Sequence, residues 1–166
     1  TPEDAGLLDE LVAARRGDIY RDAFEDAAHL KRYIDQTAGH LSWVAARSLG
    51  PAEESVVRDA AQSAGVAAWL RAIPELVDRG RIPLLDGTHD GVRTLAISAR
   101  DGLRRARDNR GAVSRAAAAA LLHVGAAQLV LGAAIADPAR VSDGTLPDPL
   151  QSDRLALGWR ALSGRW

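Results

Sequence analysis

The stretch GVAAWLRAIPELVDRGRIPL, residues 65–84, consists of a helical segment with a proline inside it, followed by a loop that contains glycine and proline. It closes a helix that the sequence predicts from about residue 51 towards residue 77. Pro74 lies inside that helix, where it removes the amide that would donate to the Leu70 carbonyl and disfavours helical geometry at Ile73. The sequence therefore predicts a helix that kinks or breaks near Ile73 and Pro74.

Helix start and stop signals recur on both sides of this stretch, and no convincing strand pattern competes with them. Glycines at positions 17 and 50 are typical helix ends, and prolines at positions 2 and 51 are typical helix starts. The expected helices cover residues 1–16, 25–49, 51–77, 90–110, 113–136 and 151–163. The sequence predicts an all-α helical bundle that forms a single domain over residues 1–166.

The composition fits a globular protein with a small-residue core. Hydrophobic residues make up 47% of the 166 residues and aromatic residues only 4%, so the core is built largely from Ala, Leu, Val and Ile. A net charge of −1 gives no electrostatic reason to expect nucleic acid as a partner. The absence of cysteine excludes a disulfide framework, a thiol nucleophile and a cysteine-ligated metal.

The most apolar stretch, residues 116–136, is long enough to span a bilayer but consists mostly of alanine. It also contains His123 and Gln128, which favours a buried core helix over a membrane span. On such a helix, His123 is expected to be a satisfied core histidine. The four histidines of the chain show no shared ligand spacing.

Two segments resemble motifs of squalene and phytoene synthases in both order and separation. YIDQTAGHL, residues 33–41, resembles the family's "Y…VAG.V" stretch, and residues 65–84 resemble a helix that reads roughly "G…A..L.NILRD...D..RGRIYLP". The family-motif residues are Tyr33, Ala38, Gly39, Arg71, Gly80 and Arg81. The resemblance implies the helical bundle of isoprenoid synthases, of which this chain would be the C-terminal two-thirds, truncated at the N-terminus.

The same resemblance predicts that the metal-binding chemistry is lost. Family enzymes join two prenyl diphosphates head to head and hold Mg²⁺ between the departing diphosphate and two D-x-x-x-D motifs, whose carboxylates share one helix face. The second motif falls on Ala72 and Leu76, which cannot bind magnesium, and the first would lie upstream of Thr1. Glu75 and Asp78 remain as weak candidates for one ion. The expectation is therefore no catalytic residue, no metal and no cofactor.

Other acidic clusters have simpler explanations. Asp22 and Asp26 form a D-x-x-x-D match outside the family's motif positions, and capping of the following helix is the preferred interpretation. Asp86, His89 and Asp90 could in principle bind a metal, but acidic residues at a helix start explain them better.

Two surface stripes leave alternatives open. Arginines at helical spacing along the fourth predicted helix, with expected Asp101–Arg105 and Arg104–Asp108 pairs, indicate a solvated face or a docking strip for anionic lipid or an acidic partner. A stripe near the C-terminus indicates core packing, a membrane interface or a partner groove. The residues are Arg93, Arg100, Arg104 and Arg107 in the first stripe and Leu155, Trp159, Leu162 and Trp166 in the second.

Three functions are compatible with this pattern. Among degenerate relatives, the chain most resembles the group that contains the mitochondrial complex I assembly factor with a phytoene-synthase domain. That resemblance implies an inactive interaction or assembly module, cytoplasmic and peripheral on the inner membrane, with a protein partner such as a membrane complex. The alternatives are an active head-to-head prenyltransferase and a carrier of prenyl or acyl lipid. An intact D-x-x-x-D motif upstream of Thr1 would favour the enzyme.

Overall fold

A computed structural model describes residues 1–20, 23–148 and 166, and these form helices joined by short loops without a β-strand. The all-α fold class is therefore confirmed. The predicted helix over residues 151–163 lies outside the described residues, as do Leu155, Trp159 and Leu162. The helices are α1 (Pro2–Tyr20), α2 (Ala27–Ile34), a π-helical turn (Asp35–Gly39), α3 (His40–Leu49), α4 (Glu54–Asp78), α5 (His89–Asp108), 3₁₀ segments (Arg110–Ala112 and Ala117–Ala126), α6 (Ala127–Ala136) and α7 (Ala139–Ser142).

The first helix is longer than predicted. We expected α1 to stop at Gly17, but it continues to Tyr20, and Gly17 does not adopt the left-handed conformation that ends many helices. The additional turn carries Asp18, whose carboxylate accepts hydrogen bonds from Tyr33 and Arg81. These contacts between distant segments outweigh the local stop signal.

The fourth helix begins later than predicted. Pro51 does not open it, because the backbone before Glu54 pairs with the segment after α5. The Glu53 amide donates to the Ala112 carbonyl at 3.0 Å, and the Ser114 amide donates to the Pro51 carbonyl at 2.9 Å. These bonds hold the residues before α4 in an extended conformation.

The predicted break at Pro74 does not occur, because α4 continues through it to Asp78. Proline deprives only the Leu70 carbonyl of its donor, and the helix end beyond it is fixed separately. Gly80 adopts a φ of 74°, and the Arg81 amide donates to the Leu76 carbonyl at 2.9 Å. A bend at Pro74 stays a prediction.

The apolar stretch forms two helical segments rather than one α-helix: a 3₁₀ segment over Ala117–Ala126 and then α6. Residues 117–136 are long and apolar enough to cross a membrane by length and composition alone. Leu121, Val124 and Leu131 are nevertheless fully buried within the protein. Their burial supports the interpretation of this stretch as a core element.

The helix α4 is central, and it contacts α2, α3, α5, α6 and α7. The largest fully buried side chains are leucines and valines, and alanines fill the remaining core. Ser63 is buried where α4 meets α5, and its hydroxyl lies 2.7 Å from the Asp59 carbonyl and 2.8 Å from the Ala99 carbonyl. Small residues at this contact allow the two helices to approach closely.

A close crossing of two helical segments lies where α4 passes the α2–π segment at Gly65. A Cβ atom on Gly65 would lie 2.6 Å from Ile34 Cγ2 and 3.0 Å from Ala38 Cβ. The 2.6 Å distance is too short for a real methyl group and 3.0 Å is tighter than most such contacts, and Ala38 offers no flexible end that could move away. Glycine is therefore required for this packing distance.

We predict that Gly65→Ala lowers the free energy of unfolding by about 1–3 kcal/mol, because the added methyl overpacks the crossing. The matched control is Gly132→Ala on α6, where an added Cβ meets no atom within 4 Å. That change is expected to be neutral or to stabilise by up to about 1 kcal/mol through helix propensity. Urea denaturation of both variants tests the pair, and equal stability of the two variants would contradict the tight crossing.

Candidate functional site

A cavity of about 580 Å³ lies between α1, α2, α3, α4 and the second 3₁₀ segment. The two family-like motifs, distant in sequence, meet there. The motif residues that line the cavity are Tyr33, Ala38, Ala72, Leu76 and Arg81. The two segments that resemble family motifs in sequence thus also form one site in space.

The wall formed by α4 is apolar. Ala72 and Leu76 face the cavity, together with Ala68 one turn earlier. Trp69 also lines it, and its indole nitrogen donates to the Pro83 carbonyl at 3.0 Å, which ties α4 to the following loop. Leu70, the next residue, is fully buried in the core.

The polar part of the cavity centres on Asp18. The Tyr33 hydroxyl donates to Asp18 Oδ1 at 2.9 Å, and the Arg81 guanidinium donates to the same oxygen at 3.1 Å. Arg15 lies 3.3 Å from Asp18 Oδ2 and donates to the Tyr33 hydroxyl at 3.2 Å. Sequence reasoning missed Asp18, because it belongs to neither motif and was placed after the expected end of α1.

Tyr33 is held by aromatic neighbours as well as by hydrogen bonds. Its ring centroid lies 5.4 Å from that of Trp69 and 5.5 Å from that of Phe24, in tilted or edge-on orientations. Burial and the hydrogen bond to the Asp18 carboxylate raise the pKa of Tyr33 to about 12. The tyrosine is therefore a neutral donor at physiological pH and fixes the orientation of Asp18.

His123 lies at the cavity rather than in the core. It is exposed at one edge, which corrects the expectation of a core histidine. Desolvation of the ring lowers its pKa, although a hydrogen bond with the Ala120 backbone opposes this effect. His123 is consequently neutral at pH 7 and adds no charge to the cavity.

The cavity has an excess of positive charge and does not fit a magnesium ion. Within residues 1–20, 23–148 and 166, its charged lining residues are Arg15, Arg81 and Asp18, which leaves one positive charge uncompensated among them. Asp18 is occupied by two guanidinium groups and the Tyr33 hydroxyl, whereas Mg²⁺ prefers free carboxylates and water. In residues 1–20, 23–148 and 166, no group of three His, Asp or Glu side chains could hold a metal ion.

The other motif residues support the surrounding structure. Gly39 ends the π-helical turn, where it lies against the Asp35 side chain. Arg71 is outside the cavity lining and forms an ion pair of 3.1 Å with Asp148. Gly80 provides the left-handed turn that ends α4 and brings Arg81 to the cavity.

The weak metal candidates on α4 lie on a different side of the helix from the cavity. Glu75 is exposed and pairs with Arg79, and Asp78 is exposed as well. Neither residue lines the cavity, whereas Ala72 and Leu76 do. Glu75 and Asp78 are therefore not placed to replace the missing aspartates.

The remaining acidic residues cap a helix or pair with neighbouring side chains where the structure describes them. Asp26 caps α2 by accepting from the His29 amide at 2.6 Å. Asp86 accepts hydrogen bonds from Thr88, and these lower the pKa of its carboxyl group. Asp90 pairs with Arg93 at 3.0 Å. Asp22 lies outside the described residues.

The arginine stripe on α5 is paired differently from the prediction. Arg104 pairs with Asp101 at 3.5 Å, and Arg105 reaches across to Asp59 on α4 at 3.2 Å. The expected Asp101–Arg105 and Arg104–Asp108 pairs are therefore wrong. The interhelical Asp59–Arg105 contact could not be anticipated from spacing within one helix.

The two ends of the arginine stripe on α5 contact neighbouring segments. Arg93 donates to the Ile135 carbonyl at 3.1 Å, and Arg107 donates to the Trp166 carbonyl at 3.3 Å. Trp166 itself is buried. These contacts tie part of the stripe to the protein, while Arg100 and Arg104 are exposed.

One comparison with known proteins returned a match. The family model for squalene/phytoene synthase matches residues 4–149, which cover α1 except its first two residues and every later helical element to α7. Neither a curated protein nor a solved structure matches the chain.

We predict a titration that depends on the Tyr33–Asp18 contact. Because the folded-state pKa of Tyr33 is raised from 10.0 to about 12, the hydroxyl stabilises the fold fully below pH 10 and loses this contribution as the pH rises towards 12. Phenolate absorbance should show one late titration step that disappears in Tyr33→Phe and shifts to lower pH in Asp18→Asn. A late step that persists unchanged in Asp18→Asn would contradict the contact.

Proposed function

The chain belongs to the squalene/phytoene synthase family, and from that premise we propose that it is a non-catalytic member that acts by binding other molecules. Family chemistry requires charge neutralisation of a departing diphosphate by metal ions held on carboxylates. In this proposal, Ala72 and Leu76 replace the aspartates of the second D-x-x-x-D motif. The cavity in which those aspartates would bind metal ions is retained.

One observation carries the proposal: Ala72 and Leu76 face the cavity at the positions that match the second D-x-x-x-D motif. The helix geometry is intact, so reorientation of α4 does not explain the missing ligands. The remaining cavity carboxylate, Asp18, already neutralises part of the charge of Arg15 and Arg81. This arrangement supports binding without metal-assisted ionisation.

We assign the binding role to assembly of a membrane complex, with respiratory complex I as the specific candidate. Support comes from the resemblance to the degenerate group of the family and from exposed apolar side chains near the cavity. Leu41 lines the cavity and is 55% exposed, and Ile82, which follows Arg81, is 65% exposed. Such residues suit a protein or membrane surface better than water. The proposed location is the cytoplasmic side of the inner membrane, as a peripheral protein.

A carrier of prenyl or acyl lipid is the second candidate, and the cavity itself favours it. Its volume of about 580 Å³ lies within the range of ordinary ligand pockets, and its α4 wall is apolar. An active prenyltransferase is the alternative that Ala72 and Leu76 disfavour most directly. It requires enough carboxylates elsewhere to bind the metal ions.

We predict that the protein shows no Mg²⁺-dependent binding of a prenyl diphosphate analogue. Isothermal titration calorimetry with and without Mg²⁺ is the measurement, because metal-bridged binding must disappear when Mg²⁺ is omitted. Saturable binding that requires the metal would overturn the non-catalytic assignment.

A variant with aspartate at positions 72 and 76 tests the same assignment by its stability and by product formation. Ala72→Asp with Leu76→Asp places two like charges at i and i+4 on a partly buried wall, so stability should fall and no squalene- or phytoene-like product should form. The double variant Ala72→Asn, Leu76→Asn has nearly the same size without charge and serves as the control. Product formation with unchanged stability would mean that the chain is a recently disabled enzyme.

The assembly role predicts a phenotype in the organism that carries the gene. Deletion should lower the amount of assembled complex I, seen by native gel electrophoresis, while isoprenoid products stay constant. The wild-type chain should restore assembly and the Ala72→Asp, Leu76→Asp variant should restore less, with the paired asparagine variant as control. A loss of isoprenoid products with normal complex I would contradict this role.

A further inference from the structure

A second concave surface, the α2–α4–α5 groove, lies on the other side of Ile34 from the cavity. It has a volume of about 530 Å³ and is bounded by α2, α4, α5 and the loop at residues 84–86. Ile34 contributes to both surfaces, and Val66 and Leu84 of the 65–84 segment also line the groove. None of the family-motif residues does; these are Tyr33, Ala38, Gly39, Arg71, Gly80 and Arg81. The groove is therefore separate from the family site.

Apolar atoms make up most of the surface of the groove. Small residues at the α4–α5 contact, including Ala99 and Gly102, let the two helices approach, and Leu30, Val66 and Leu95 form the sides. The hydroxyl of the buried Ser63 is satisfied by two backbone carbonyls, so the floor presents no unpaired polar group at that position. Such a groove can accept the hydrocarbon chain of a ligand.

The two ends of the groove differ in charge. Asp90 and Arg105 both line it and are separated by 15 residues of α5, which corresponds to about 22 Å. At the Arg105 end, Arg105 pairs with Asp59, and Gln62 donates to the Lys31 carbonyl at 3.4 Å. At the other end, Asp86 is held by Thr88.

Lys31 is the cation of this groove that has no ion-pair partner among the described residues. It is the only lysine of the chain, it is exposed, and it lines the groove beside Gln62. Within residues 1–20, 23–148 and 166, no carboxylate forms an ion pair with its ammonium group. The nearby Arg105 and Asp59 compensate each other. One ammonium group therefore lies at one end of an apolar slot.

We propose that the α2–α4–α5 groove binds a long-chain carboxylate, with the carboxylate on Lys31 and the hydrocarbon chain along α4 and α5. A carboxylate carries a single charge and matches one ammonium group, whereas a phosphate monoester carries about −1.5 to −2 at pH 7 and would remain partly uncompensated. The acidic end formed by Asp86 and Asp90 orients the ligand, because an anion there would be repelled. The groove is distinct from the cavity of the proposed function, so either can be correct without the other.

The single lysine allows a direct experiment on the full chain. Reductive methylation with ¹³C-formaldehyde labels Lys31 and the N-terminal amine, and NMR then follows the two signals during titration with oleate below its micelle concentration. We expect a saturable shift of the Lys31 signal and no comparable shift with oleyl alcohol, which lacks the charge. Absence of a saturable shift with oleate overturns the proposal.

Variants locate the site by calorimetry. Lys31→Gln should weaken oleate binding by about tenfold, the size of one charge-assisted hydrogen bond, and Ser98→Leu should abolish it by filling the groove. Arg100→Gln, which removes one exposed positive charge of α5 outside the groove lining, should bind as the wild type does. Ala72→Leu, which fills the other cavity, should also bind normally. Loss of binding in Ala72→Leu, or unchanged binding in both Lys31→Gln and Ser98→Leu, would overturn the assignment.

Discussion

The close approach of α4 to the α2–π segment at Gly65 is the constraint on which both binding surfaces depend. A side chain at position 65 would push Ile34 and Ala38 away, since a Cβ there would lie 2.6 Å and 3.0 Å from their atoms. The α2–π segment carries Tyr33 and Ala38 of one motif, and α4 carries Ala72 and Leu76 of the other. The crossing thus forms the cavity on one side of Ile34 and the α2–α4–α5 groove on the other.

Electrostatic compensation is the second organising feature of the cavity. Two guanidinium groups face a space without free carboxylates, and Asp18 from α1 supplies the counter-charge with help from Tyr33. The same contacts hold the last turn of α1 against α2 and against the loop after α4. A single carboxylate therefore links three segments and also limits what the cavity can bind.

The sequence was sufficient for the fold class and for the walls of the cavity, because these follow from local signals. Helix start and stop signals predicted the fold class, whereas the resemblance of two segments to family motifs singled out Tyr33, Ala72 and Arg81, and all three line the same cavity. Asp18 was missed because its role depends on a contact with residues far along the chain. Pro74 was overestimated for a related reason: its local cost is one hydrogen bond, and contacts around α4 compensate for it. The groove at Lys31 likewise results from the packing of three helices, which no local pattern encodes.

Charge also bears on which ligand the cavity can accept without a metal ion. A diphosphate brings several negative charges, whereas Arg15, Arg81 and Asp18 together leave only one positive charge. In the family's chemistry divalent cations supply the difference, and Ala72 and Leu76 offer them no ligand. A diphosphate in this cavity would therefore stay largely uncompensated in a partly desolvated site, which is unfavourable. Ligands with no charge or with one negative charge avoid that penalty while still burying a chain against the α4 wall. If the proposed correspondence of Ala72 and Leu76 with two family aspartates holds, the same replacement that removes metal ligands also favours neutral and monoanionic ligands in the cavity.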